Sequence, residues 1–173
     1  SDFISYPKPI IAAMNGAAAG VGFVLALFCD LRFAASGIKL TTSFSRRGLI
    51  AEYGSSWALP KLIGMPRALD LLLSGRVITA DEAERMGLVN QVVPAEELMS
   101  HVMAYASDLA SNCCPTSWAH MKKQVYGDWE IDADTATTNS IHMMNASVMR
   151  PDFQEGVQSY LDKRAPQFAP FTE

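Results

Sequence analysis

The sequence predicts an α/β protein whose first half alternates short strands with helices and whose second half is helical. Three observations lead to this prediction. A short apolar run at 10–14, which begins with the β-branched Ile10 and Ile11, is followed by a small-residue turn and an Ala/Leu-rich run, which is typical of a strand–turn–helix unit. Glycine or proline stands near most of the predicted element ends. Beyond Pro94, every predicted element is a helix.

The first half, up to Pro94, is predicted to contain four strands and four helices. The strands cover 10–14, 31–35, 38–42 and 88–93, and the helices cover 20–29, 55–62, 67–73 and 80–86. Thr79 with Glu82 three residues later is a capping box for the fourth helix, and Gly87 ends it. Residues 44–54 show an irregular, polar pattern that predicts a loop.

The second half is predicted to contain four helices, at 96–111, 116–126, 133–149 and 153–163. Pro115 and Pro151 stand at helix starts, where the missing N–H costs nothing. We therefore predict two parts: a strand-and-helix core at 1–94 and a helical region at 95–173.

Composition excludes several classes of protein. With a net charge of −4 over 173 residues, no global basic field favours nucleic acid. The charged fraction of 18% is low, which indicates that some surface is buried against other subunits. Three cysteines without a CxxC, and three well-separated histidines, predict neither a disulfide framework nor a metal site. These features favour a reducing, intracellular compartment.

Residues 10–29 are almost wholly apolar and are long enough to cross a bilayer, with Gly16 and Gly20 in a GxxxG pattern. Asn15-Gly16, however, is a strong turn signal inside this window. The β-branched run before it also differs from the Ala/Leu-rich run after it. We therefore predict a buried strand, a turn and a helix, and no membrane span.

The turn at residues 15–22 joins a strand to a helix through small residues only. The first N–H groups of a helix have no internal acceptor, so a ligand oxygen could approach them closely, as in an oxyanion hole. Gly20-Val21-Gly22 also resembles the start of a dinucleotide-binding motif, but Leu25 occupies its third glycine position. Close packing of helix on strand explains the small residues equally well.

Several segments, in order, resemble the signature of the crotonase (enoyl-CoA hydratase/isomerase) family. They are KPIIAAMNG (8–16), AGVG (19–22), CDLRFA (29–34), LSGR (73–76), GLVN (87–90), PDFQEG (151–156) and YLDKR (160–164). The resemblance implies a crotonase-like (ClpP/crotonase) ββα spiral, truncated at the N-terminus, with a C-terminal helical trimerisation region. It also implies a homotrimer, or a hexamer built as a dimer of trimers, acting on an acyl-CoA thioester without metal or redox cofactor.

The resemblance also implies roles for residues of the glycine turn. The N–H of Val21, with Gly22 beside it, corresponds to the family's second oxyanion donor. Ala19 and Gly20 correspond to positions that line the acyl-CoA site. The first oxyanion donor belongs to a region upstream of Ser1, so we expect this sequence to hold half of an oxyanion hole.

Hydratases of the family use two glutamates, and the corresponding positions here are Val24 and Phe44. The loop at 44–56 instead resembles that of peroxisomal-type Δ3,Δ2-enoyl-CoA isomerases, in which a glutamate matching Glu52 is the base. A single carboxylate suffices to move a double bond, because it can take a proton from C2 and return it to C4. The alternatives for Glu52 are a cap of the helix at 55–62 or a surface charge, which the helix dipole would also favour.

The same resemblance assigns substrate contacts to Phe44, Leu49 and Trp57, and we expect Leu49, Ile50 and Trp57 to form apolar walls around Glu52. Lys163 is expected to reach a neighbouring subunit's CoA pocket. An isomerase is the leading activity. The alternatives are an enoyl-CoA hydratase with a non-standard site and a non-catalytic acyl-CoA-binding or oligomerisation protein. The expected location is the cytoplasm in a bacterium, or the peroxisome or mitochondrial matrix in a eukaryote.

Overall fold

The computed structural model describes residues 2–171. The strands are β1 (Ile11–Met14), β2 (Ala18–Ala19), β3 (Leu31–Ala35), β4 (Lys39–Thr41), β5 (Ile78–Thr79) and β6 (Gln91–Val93). The helices are α1 (Asp2–Ser5), α2 (Val21–Leu27), α3 (Ser55–Ile63), α4 (Met65–Ser74), α5 (Ala80–Met86), α6 (Leu98–Asn112), α7 (Pro115–Asp128), α8 (Ala133–Ser147) and α9 (Pro151–Leu161). They form two compact units, one of residues 10–103 and one of residues 2–9 with 104–171.

The unit at 10–103 contains two small sheets. The first has the order β1-β3-β6 and is wholly parallel. In the second, β2 pairs parallel with β4, and β4 pairs antiparallel with β5. Its core is formed by apolar side chains of α2 to α6 and of the strands, for example Phe23, Phe33, Leu59 and Leu88.

Hydrogen bonds between Ile10 and Asp30, in the turn after α2, join the starts of β1 and β3 and fix their register. The Asp30 carboxylate accepts from the backbone N–H of Ile10 at 2.7 Å, and the Asp30 N–H donates back to the Ile10 carbonyl at 2.9 Å. The two chain segments that enter the neighbouring strands are therefore linked twice. This contact gives a structural reason for an aspartate at this position of the CDLRFA segment.

Arg32 lies in β3 with only 5% of its surface exposed. Its guanidinium donates to the carbonyl of Leu88 at 2.8 Å, to that of Cys29, and at 3.4 Å to those of Ala26 and Leu27. The last carbonyls of a helix lack internal partners and carry negative partial charge. The buried cation therefore satisfies the C-terminal end of α2 and links it to the segment before β6.

Helix α5 begins and ends as predicted, but its capping box is half formed. The backbone N–H of Glu82 donates to the Thr79 hydroxyl at 3.2 Å. The Glu82 carboxylate, however, binds the Arg76 guanidinium at 2.7 Å, and Asp70 binds the same guanidinium. These two contacts raise the pKa of Arg76. The reciprocal half of the predicted box is therefore wrong, because a charged partner competes for the Glu82 side chain.

Other differences from the predicted elements are short and have local causes. The predicted strand at 88–93 begins only at Gln91, because the N–H groups of Leu88 and Val89 donate to the Ala83 carbonyl at the end of α5. Gly87, at φ 81°, makes this helix ending possible. Helix α1 and the two-residue strands β2 and β5 were not predicted.

In the unit formed by residues 2–9 and 104–171, α1 packs on α7 and α7 packs on α8. The Lys122 ammonium donates to the carbonyl of Phe3 at 2.8 Å and to that of Lys8 at 3.4 Å, which attaches the N-terminal segment to α7. Within residues 2–171, no helix is both long and apolar enough to cross a membrane. The predicted division after residue 94 stays a prediction.

Candidate functional site

The glycine turn places the start of α2 beside β4. Gly20 has φ 52° and ψ −127°, a conformation that L-residues rarely adopt, and its N–H donates to the Thr41 carbonyl at 3.2 Å. This geometry begins the helix at Val21. Among the described residues, none accepts a hydrogen bond from the backbone N–H of Val21 or Gly22. These donors are free for a ligand oxygen.

Phe44 lies next to the glycine turn. A Cβ placed on Gly20 would be 3.9 Å from Cε1 of the Phe44 ring. The Phe44 carbonyl accepts from the N–H groups of Arg47 and Leu49, at 2.9 and 3.0 Å, which folds the following loop back on itself. The structure thus brings together Gly20 and Phe44, two of the residues that the resemblance assigns to the substrate site. Ala19 adjoins them in β2, paired with Thr41.

The two positions that the resemblance assigns to the hydratase glutamates are both buried and apolar. Val24 is 1% exposed and Phe44 is 4% exposed. Neither side chain can transfer a proton, and neither position faces solvent.

Glu52 lies half-buried in the loop before α3. Its backbone carbonyl accepts from the Ser55 N–H at 3.0 Å, and its carboxylate has no hydrogen-bond or ion-pair partner among the described residues. Gly54, at φ 80°, is the N-cap residue of α3. The alternative in which the Glu52 side chain caps this helix is therefore wrong.

The expected apolar walls around Glu52 are only partly present. Ile50 is 81% exposed and Leu49 is also exposed. Trp57 is half-buried, packs against the core and stacks on Phe28, with ring centroids 6.4 Å apart. The Lys61 ammonium lies 4.7 Å from the centre of the Trp57 ring, a cation–π contact. Trp57 thus joins α3 to the end of α2, and its predicted contact with substrate stays a prediction.

Lys163 lies in the helical unit, directly after α9, with a positive φ of 55°. Its N–H donates to the Tyr160 carbonyl at 3.2 Å, and its side chain is exposed. Arg164, the next residue, forms a bidentate ion pair with Glu155 at 2.6 and 2.9 Å. The role of Lys163 at a neighbour's CoA pocket stays a prediction.

Ser55 is a residue of this region that sequence reasoning did not single out. It begins α3, is 0% exposed, and its Oγ is buried without a hydrogen-bond partner among the described residues. No feature of the sequence separates it from Ser56, which is exposed. Only the three-dimensional packing distinguishes the two serines.

A groove of about 730 Å³ lies within the helical unit, between α7, α8 and α9. Its lining includes Met121, Met144, Phe153, Val157 and Phe168. His120 also lines it, and burial, with the nearby cations Arg150 and Lys123, lowers the pKa of this imidazole. A lowered pKa keeps the ring neutral at pH 7, which suits the apolar lining.

The described part of the chain contains no group of three or more His, Cys, Asp or Glu side chains placed to hold a metal ion.

Comparisons with known proteins place this chain in one family. The family model described as enoyl-CoA hydratase/isomerase matches residues 1–170. A probable enoyl-CoA hydratase of Rhodobacter capsulatus is 37% identical over 95% of this chain and 63% of its own length. The 1,2-epoxyphenylacetyl-CoA isomerase of Escherichia coli is also 37% identical, over 94% of this chain and 62% of its own length.

A solved structure of a probable enoyl-CoA hydratase/isomerase from Mycobacterium abscessus superposes with a TM-score of 0.94 at 29% identity, over 97% of this chain and 68% of that one. The chain thus spans slightly less than two thirds of the length of the two curated relatives. The crotonase-like α/β fold expected from the sequence is confirmed. The chain belongs to the enoyl-CoA hydratase/isomerase family of the crotonase superfamily.

Proposed function

We propose that the protein is an enoyl-CoA isomerase that moves a double bond of an acyl-CoA thioester, with Glu52 as its single base. The observation that carries this proposal is the replacement of both hydratase carboxylates by buried apolar residues, Val24 and Phe44. Glu52 is half-buried, and its carboxylate has no hydrogen-bond or ion-pair partner among the described residues.

In the proposed reaction, the Glu52 carboxylate removes a proton from C2 of a 3-enoyl-CoA, and the electron pair moves to the thioester oxygen. The resulting dienolate is stabilised by backbone donors, of which the Val21 N–H is one. The protonated Glu52 then returns the proton to C4, giving the 2-enoyl-CoA and the original carboxylate. Proton and electron counts balance within the substrate, so the reaction requires no metal and no redox cofactor.

The acyl-CoA thioester is the proposed ligand of the surface around the glycine turn. The contact between Gly20 and Phe44, and the free N–H groups of Val21 and Gly22, support this assignment. The proposed contacts of Ala19, Leu49, Trp57 and Lys163 extend it. We also propose that the protein assembles as a homotrimer, or as a hexamer of two trimers, because the helical unit leaves apolar side chains such as Met149 and Tyr160 exposed.

Glu52→Gln tests the base. In the full-length protein, this isosteric change should lower kcat for 3-enoyl-CoA by about 10²- to 10⁴-fold, because the amide cannot accept the proton. The measurement is the rise in ultraviolet absorbance as the conjugated enoyl thioester forms. Glu96→Gln is the matched control, since Glu96 is an exposed glutamate of the turn Ala95–Glu97, and it should leave kcat unchanged.

An isomerase activity that survives Glu52→Gln would contradict the role of this residue. A hydratase with a non-standard site is the second candidate, favoured by the relative named a probable hydratase. Hydration of 2-enoyl-CoA by the wild-type protein would support it. Binding of acyl-CoA without turnover of either substrate would indicate a non-catalytic member of the family.

A further inference from the structure

We propose that Ser55 is a positioning residue for Glu52: in the working full-length protein, its hydroxyl donates a hydrogen bond to the Glu52 carboxylate. This inference rests on the proposed role of Glu52 as the base. It adds a second residue to that site. It is based on two side chains of one turn, those of Ser55 and Glu52, that have no hydrogen-bond partner among the described residues.

The first group is the Ser55 hydroxyl. It is fully buried, and its Oγ is without a hydrogen-bond partner among the described residues. Buried polar atoms are nearly always hydrogen-bonded, because leaving one unpaired costs its full desolvation. A hydroxyl kept at such a position therefore needs an acceptor that forms in the working protein.

The second group is the Glu52 carboxylate, which has no described partner. An ionised carboxylate accepts several hydrogen bonds and offers no donor, whereas a serine hydroxyl can donate one. Hydrogen bonds to an ionised acceptor are shorter and stronger than those between neutral groups. The two side chains complement each other chemically and stand three residues apart.

The backbone between the two residues forms a tight turn. The Ser55 N–H donates to the Glu52 carbonyl at 3.0 Å, which closes it. Tyr53 and Gly54 are both left-handed, at φ 50° and φ 80°, and this conformation is unfavourable for tyrosine. Strained residues of this kind concentrate at functional sites, where the surrounding structure holds them in place. The turn holds the main chain of Glu52 in place, and the Ser55 hydroxyl would hold the Glu52 carboxylate in place.

Ser55→Ala in the full-length protein tests the proposal. We expect kcat for 3-enoyl-CoA to fall by about tenfold while KM stays within about twofold, since a misplaced base slows the chemical step more than binding. The melting temperature should change by no more than a few degrees, because the substitution removes one hydrogen bond and also removes the desolvation cost of a buried hydroxyl. Ser55→Cys, with a weaker donor of similar shape, should give an intermediate kcat. Ser56→Ala, on the exposed neighbour, is the matched control and should change neither quantity.

A second measurement does not depend on turnover. The ¹³C carboxyl resonance of Glu52, assigned by its loss in Glu52→Gln, should move in Ser55→Ala and stay in place in Ser56→Ala. A resonance and a kcat that are both unchanged in Ser55→Ala would overturn the proposal. If the wild-type protein isomerises no enoyl-CoA, the proposed function fails, and the resonance alone then decides whether Ser55 contacts Glu52.

Discussion

The two compact units of this chain bury their apolar residues to very different extents. All the described buried residues of the hydrophobic core, from Met14 to Val102, belong to the unit at 10–103. In the helical unit, α7 and α8 contain no buried residue among those described, and α9 contains only Ser159. Each of these three helices nevertheless carries large apolar side chains at its surface.

The segments that resemble the family signature therefore make different kinds of contact in the two units. In the first unit, the segment CDLRFA (29–34) supplies Asp30 and Arg32, and both side chains bind partners inside the unit. In the second, Glu155 and Arg164 hold the chain that follows α9, but the helix faces beside them lie open. The first unit is stabilised by its own core, whereas the second leaves large apolar side chains exposed, as at a candidate interaction surface.

Val157→Asp has the largest expected effect, and it tests the second half of this comparison. Val157 lines the groove of the helical unit and is exposed. If another subunit covers this groove, an unpaired carboxylate there should weaken association by about 4 kcal/mol, roughly a thousandfold in the dissociation constant. Light scattering of the full-length protein across a dilution series measures the shift from assembly to monomer.

Gln154→Asp is the control for this substitution. It introduces the same charge on α9, at an exposed residue that does not line the groove. The assembly should survive it. Equal masses for Val157→Asp and the wild type at every concentration would show that the groove is not a subunit interface.

Arg32→Met tests the first half of the comparison and should lower the free energy of unfolding by about 3 kcal/mol. The substitution removes the charged donor to the buried Leu88 carbonyl and to the carbonyls of Leu27 and Cys29 at the end of α2. Urea unfolding followed by circular dichroism measures the loss. Arg67→Met is the control, because Arg67 is exposed and donates at 3.1 Å to a single described carbonyl, that of Met86. Similar losses for both arginines would contradict the special role of the buried one.

The sequence predicted those elements whose signals are local. Strand β3 and helix α5 have the predicted bounds, because their ends are set by turn residues and by the Thr79 cap. The strands β2 and β5 were missed, since each has two residues and exists only through pairing with β4. A sequence pattern does not report pairing between segments that lie far apart in the chain.

Some features of the candidate site were likewise predictable from the sequence, and others are evident only in the structure. The glycine turn and the absence of the hydratase carboxylates are visible in the sequence, because they depend on residue type alone. Ser55 was not visible, since its burial arises from packing of the whole unit. The exposure of Leu49 and Ile50 was also unexpected, because apolar residue type predicts burial in general but not at a given loop position.

Gly20→Ala should cost about 2 kcal/mol, because Gly20 has a positive φ that a Cβ makes unfavourable. A steric clash does not contribute to this cost, because the atom nearest to an added Cβ lies 3.9 Å away. Gly22→Ala is the matched control: Gly22 is helical, no described atom lies within 4 Å of an added Cβ, and a gain of about 0.5 kcal/mol is expected. Urea unfolding midpoints should therefore move in opposite directions. Midpoints that move in the same direction would show that backbone conformation does not govern this turn.

The smallest expected effect is a pH-dependent release of the segment after α9 in the helical unit. The Arg164 guanidinium and the Gln167 N–H lower the pKa of Glu155 to about 2. Because the folded pKa is depressed, this contact stabilises the segment fully above about pH 4.5, the ordinary value, and the stabilisation is lost as pH falls towards 2. The Gln167 amide donates to the Glu155 carboxylate at 2.6 Å, so its NMR shift reports the contact.

That amide shift should change between about pH 4.5 and 2 in the wild type and stay constant over this range in Glu155→Gln. Asp162→Asn is the matched control, since Asp162 lies 3.5 Å from Arg164 while the bidentate contact to Glu155 is left in place. Its profile should follow that of the wild type. An amide that titrates unchanged in Glu155→Gln would mean that another group holds this segment. The ion pair between Glu155 and Arg164 would then not determine where the chain after α9 lies, and this part of the helical unit would be stabilised by other contacts.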